Sequence, residues 1–263
     1  MMNSDDLSSS PPPETPAGPT AQANDLRSDS SGPEPVGASI VRTWVLALIS
    51  GLAAGVIAWA IGEAMIVPEM RRLAMKGEAI VPPTVSGTYN AIVSFSALGA
   101  ALGSALGLAG GLIKRSFLRA CLAALVGLCV GGAAAALTSR LILPVFFGHL
   151  SEDDLTYSLM IHGAAWATVG ASAGFAFALG LGGRGQLLRM TVAGAGAALL
   201  ATVIYEFAGG IMSPFAMTNR PVSVTWQSRL AARLIVALLV SAGLVLMAGS
   251  DDAARGAGDG KNC

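Results

Sequence analysis

Gly99-Ala-Ala-Leu-Gly-Ser-Ala-Leu-Gly-Leu-Ala-Gly-Gly111 decides the fold class of this chain. Gly99, Gly103, Gly107 and Gly111 recur every fourth residue inside an apolar run. In a water-soluble helix each such glycine would cost about 1 kcal/mol relative to alanine. In a bilayer the same spacing lines one helix face with small residues, so a neighbouring backbone can come close. The stretch therefore predicts a buried transmembrane helix around which others pack. Its partner is expected within the same chain, at Gly170 and Gly174, rather than in a second copy.

Composition agrees with a membrane class. Hydrophobic residues make up 53% of the 263 positions and charged residues only 12%, well below the roughly one quarter charged of soluble domains. The 33 glycines suit transmembrane helices. A formal net charge of zero gives no basic surface for nucleic acid. Cys121 and Cys129 lie in an apolar run and Cys263 is the last residue, a pattern of neither disulfide framework nor metal site. The first two are expected as small core residues.

Working outward, six apolar stretches each approach the ~20 residues that cross ~30 Å of hydrocarbon. They run at 43–67, 88–113, 118–143, 156–182, 188–212 and 228–248. The fold expected is an all-α, six-helix polytopic membrane domain over residues 41–249. A Pro/Ser-rich tail at 1–40, too poor in apolar residues to offset its ordering entropy, is expected to be disordered. A flexible tail is expected at 250–263. With a long acidic segment before it, the first span reads as a retained signal anchor.

Orientation follows from charge. The second connection carries Lys114, Arg115 and Arg119, and the fourth Arg184 and Arg189, with no acid in either. The third carries Glu152, Asp153 and Asp154. Short basic loops mark the cytoplasmic side, so both termini are expected there. The Ala/Gly-rich style suits a bacterial inner membrane.

A repeat is also visible. Pro68, Pro144 and Pro214 each fall at the end of an odd-numbered span, and Gly99 and Gly103 echo in Gly170 and Gly174 at a distance of 71. This predicts three helical hairpins of like orientation, as in parallel-repeat transporters. Mitochondrial carriers close their odd helices with Pro-x-acidic-x-x-basic, which is absent: Pro144 is followed by Val145 and Phe146, and Pro214 by Phe215 and Ala216.

Catalytic motifs fare no better. Gly170-Ala171-Ser172-Ala173-Gly174 has the outline of a serine-hydrolase elbow, but that motif needs a strand-to-helix turn and this one lies mid-span. A rhomboid-type protease would want Gly-x-Ser-Gly and a histidine in the sixth span, whereas residue 173 is alanine and that span has no histidine. His162 is ten residues from Ser172, some 15 Å along one helix. Two lone histidines and scattered carboxylates offer no metal-ligand spacing, and no cofactor motif is present. Gly180-Leu-Gly-Gly-Arg-Gly185 reads as a helix end with a short loop.

What remains is charge inside the membrane, which is expensive there. Glu63, Asn90, Arg140, His162, Glu206 and Arg233 fall in the outer parts of the spans. Glu206 shares a stripe with Ala195, Ala198, Thr202 and Gly209 and is expected to face the bundle, paired with Arg140 or Arg233. The second and fourth spans, small on two faces, are expected at the centre, and the uniformly apolar sixth against lipid. The function expected is that of a non-enzymatic scaffold or accessory protein. The alternative is a small-solute or ion permease with Glu206, Arg140 and Asn90 along its path.

Overall fold

A computed structural model describes residues 36–76, 83–148, 155–212, 221–223 and 225–259. The described residues form six long helices: α1 (Val36–Lys76), α2 (Pro83–Ile113), α3 (Phe117–Gly148), α4 (Leu155–Leu181), α5 (Leu187–Met212) and α6 (Trp226–Asp259). All six are long and apolar enough to cross a membrane, and there is no strand among the described residues. The chain is an all-α protein of the multi-pass type. The expected disordered tail lies outside the described residues, except that α1 already begins at Val36.

Several ends differ from the apolar runs. Neither Pro68 nor Pro144 ends its helix, because α1 continues to Lys76 and α3 to Gly148; the apolar span of α1 does stop short of Pro68, at Met65, while that of α3 runs past Pro144. A proline removes the N–H bond to the residue four back and crowds that residue's carbonyl, and membrane helices tolerate this where a local adjustment re-satisfies the freed group. Pro214 lies outside the described residues. Past its apolar run α6 remains helical as far as Asp259, so the helix extends into the stretch expected as a tail.

The connection between α2 and α3 is only three residues long, and its local chemistry fixes the pairing. Arg115 adopts a left-handed φ of 53°. The N–H of Ser116 then bonds the Gly111 carbonyl at 3.0 Å, and that of Arg115 bonds Leu112 at 3.0 Å. This is the Schellman pattern that closes a helix. Gly182, at φ 77°, closes α4 in the same left-handed way, its N–H reaching the Ala178 carbonyl at 3.1 Å. Both sharp turns lie at one end of the bundle.

Glycine then sets how near the helices come. A methyl group on Gly99 would run into the Gly131 carbonyl of α3, and one on Gly103 into that of Gly127. Gly170 meets Gly194 of α5 in the same manner, and Gly174 meets Met190. The partner of the Gly99–Gly111 face is thus α3, not Gly170 and Gly174, which serve the α4–α5 seam. On its other side α2 meets α4, where Gly110 abuts the Phe177 carbonyl at 2.5 Å from where a Cβ would stand.

The echo of 71 residues occurs a third time. Gly99, Gly170 and Ser241 are evenly spaced in sequence. Each presses on a glycine of an antiparallel neighbour: Gly131, Gly194 and, for Ser241, Gly51 of α1. The three close pairs are therefore α2–α3, α4–α5 and α6–α1. The last joins the two ends of the helical domain.

The same interval builds the core in layers. Leu98, Val169 and Val240 form one set of equivalents, Leu102, Ala173 and Leu244 the next, and all six are buried. The even helices line the middle and the odd helices lie outside them. This places α2 and α4 centrally, as their two small faces predict. It also moves α6 from the expected lipid face to the core, with Val236, Ala237, Val240 and Leu244 fully buried. A helix apolar all round suits an interior as well as it suits lipid.

Candidate functional site: a buried polar layer

One step further along the repeat the layer changes character. Ala91, His162 and Arg233 are equivalents at the same interval, so the apolar core gives way to charge toward the ends of α1, α3 and α5. Two separate ties form there.

The first joins α1 to α6. Arg229 donates from Nε and Nη2 to the two carboxylate oxygens of Glu63, at 2.6 and 2.8 Å. This is the bidentate geometry that makes arginine–carboxylate pairs strong. Its Nη1 donates to the Ser223 carbonyl at 2.9 Å. Arg229, at the edge of the sixth apolar run, stands in the first turn of α6. It is one turn before Arg233, and that spacing of four was the available signal.

The second joins α4 to α5. His162 Nδ1 lies 2.5 Å from Glu206 Oε1, and Ser158 Oγ donates to the same oxygen at 2.7 Å. Glu206 is buried beside Ala198, Thr202 and Gly209. Its partners are not the expected ones. Arg140 is exposed on the outer face of α3, and Arg233 donates instead to Ser94 Oγ of α2 at 2.7 Å. α3 carries two small stripes, and the one that packs is Ala120, Ala123, Gly127, Gly131, Ala135 and Ser139. The stripe of Arg140 faces outward, as do Cys121 and Cys129, which are therefore not core residues.

Aromatic rings wall this layer. His162 stands 5.1 Å from Trp166 and edge-on to Tyr205 at 5.8 Å, with Phe95 edge-on at 6.3 Å. The Tyr205 hydroxyl is 3.2 Å from Ser223 Oγ and 3.0 Å from Ser228 Oγ. Between α2, α4, α5 and α6 the rings leave a cavity of about 30 Å³, bordered by Ser94, His162, Tyr205, Ser223, Arg229 and Arg233. Asn90 is buried one turn from Ser94.

Ser158, His162 and Glu206 are not arranged as a hydrolytic triad. A triad serine and carboxylate engage opposite ring nitrogens. Here Nδ1 is the ring nitrogen near both, with Ser158 at 3.4 Å, and the serine hydrogen is given to the carboxylate. Ser172 is likewise committed, its Oγ donating to the Val169 carbonyl at 2.9 Å. No group of three metal-ligating side chains comes together among the described residues. Comparison with protein-family models, with curated proteins and with solved structures finds no match.

Proposed function

We propose that the protein is a non-enzymatic membrane scaffold or accessory component, a rigid six-helix bundle that acts through its outer surface. The observation that carries this reading is the closed interior beneath the polar layer. Leu98, Val169 and Val240, then Leu102, Ala173 and Leu244, are at most 2% exposed. Leu98 and Leu102 alone represent about 6 Å of helix rise. A charged solute would have to cross that apolar zone without partners, at a cost of several kcal/mol. In this reading the buried charges hold helices together, and lipid and protein neighbours meet the exposed faces of α1, α3 and α5.

The cavity beside His162 and Arg233 favours a second reading, a small-solute permease with its binding site in the outer half. Arg140 has no part in such a path because it faces away. Flux through proteoliposomes separates the two. The scaffold reading predicts leak-level flux across a panel of ions and small solutes, unchanged in Glu206→Gln. That variant keeps an acceptor for His162 and Ser158 and should lower stability by about 1 kcal/mol. Flux above empty liposomes that falls in Glu206→Gln would establish the permease instead.

We read both termini as cytoplasmic, because Lys114, Arg115, Arg119 and Arg189 gather at the end of the bundle that holds the two short turns. With Cys121 and Cys129 replaced by serine, a membrane-impermeant maleimide should label Cys263 only after permeabilisation. Labelling in intact cells would reverse the orientation.

A further inference from the structure

We propose that the cavity in the polar layer binds one small monovalent anion of halide size, held by Arg233. Three observations converge on it. The space, about 30 Å³, admits one or two particles of water size.

The polar part of its border is basic and hydroxylic, set between apolar side chains. Arg233 and Arg229 lie on it with His162, Ser94, Tyr205 and Ser223, and no carboxylate does among the described residues. The nearby carboxylates are already engaged. Both oxygens of Glu63 accept from Arg229, although its charge still acts on Arg233 through space. Glu206 is held by His162 and Ser158.

One nitrogen of Arg233 lacks an acceptor. Only 4% of the residue is exposed, and Nη1 has no hydrogen-bond partner among the described residues although Nη2 is bonded to Ser94. An arginine stays charged in any protein environment. A buried guanidinium with an orphaned N–H is therefore a strong demand for negative charge. An anion in the adjoining cavity supplies that charge and the missing acceptor together. Water would supply only the acceptor.

The test uses the full chain in detergent, titrated from sodium gluconate to sodium bromide at constant ionic strength. Wild type should show a saturable rise of a few degrees in apparent Tm, because a ligand bound only to the folded state stabilises by mass action. Arg233→Lys, which keeps the charge but not the fork, should move the midpoint severalfold toward higher bromide, and Arg233→Gln should lose the response. If Arg233→Gln does not fold, the wild-type titration and the lysine variant decide between them. A wild-type Tm indifferent to bromide, or an unshifted midpoint in Arg233→Lys, would overturn the proposal. Halide binding and solute flux are separate readouts, so the scaffold reading can stand or fall independently.

Discussion

Gly103→Val should abolish recovery of a folded, monodisperse protein. The side chain added there would meet the Gly127 carbonyl of α3. Over-packing typically costs about 1–3 kcal/mol when neighbouring side chains can turn aside. Here the neighbour is helix backbone, which has no rotamer to change, so the α2–α3 seam must open along its length. Gly103→Ala should fold with an apparent Tm lower by about 5–10 °C, taking ~2–4 °C per kcal/mol for a chain of this size. The control is Gly196, on the outer face of α5 with nothing within 4 Å of an added Cβ. Gly196→Ala should melt with wild type or slightly above it, since alanine is the better helix former. Equal behaviour of the two alanine variants in size-exclusion and thermal melting would mean that the seam is not close-packed.

The second large effect is expected at Glu63 and Arg229. The arginine side chain is 10% exposed and the glutamate 20%, deep enough that neither charge is comfortably solvated. Removing one member of a buried pair leaves the other uncompensated and costs about 3–5 kcal/mol. Glu63→Met should therefore be severe, because it leaves two arginines one helical turn apart without a carboxylate against either. Arg229→Met should be milder, since Arg233 stands close to Glu63. Replacing both with methionine removes charge and demand together, and apolar isosteres of buried pairs are often neutral.

Much of the architecture was legible in the sequence, and the misreadings have physical reasons. Six spans and the central place of α2 and α4 follow from apolar length and four-residue glycine spacing. Arg140 misled because α3 is alanine- and glycine-rich on two sides, and small size alone does not say which side packs. The deciding feature is the glycine pair at Gly127 and Gly131, whose bare backbones let α2 approach more closely than an alanine stripe could. The sixth helix misled because its stretch from Leu234 to Val240 is apolar on every side, while the face that packs is marked only by Arg229, Arg233 and Ser241.

The 71-residue glycine echo was visible in only two of its three positions. Its third unit joins α6 to α1 across the whole chain, and its contact residue is Ser241 where the others have glycine. The ties were harder to foresee. His162 and Glu206 sit on different helices at no diagnostic spacing, so their meeting depends on the register set by Gly170 against Gly194. Arg229 lay at the edge of an apolar run, where a basic residue ordinarily reaches headgroups.

The central claim is that the intramembrane charges bind helices to one another. A double-mutant cycle on Glu63→Met and Arg229→Met, read by thermal melting of the full chain in detergent, tests it most directly. The expected result is a double variant more stable than Glu63→Met alone, with a coupling of about 2 kcal/mol or more, as contacting residues give. Losses that simply add, or single variants that melt with wild type, would contradict it.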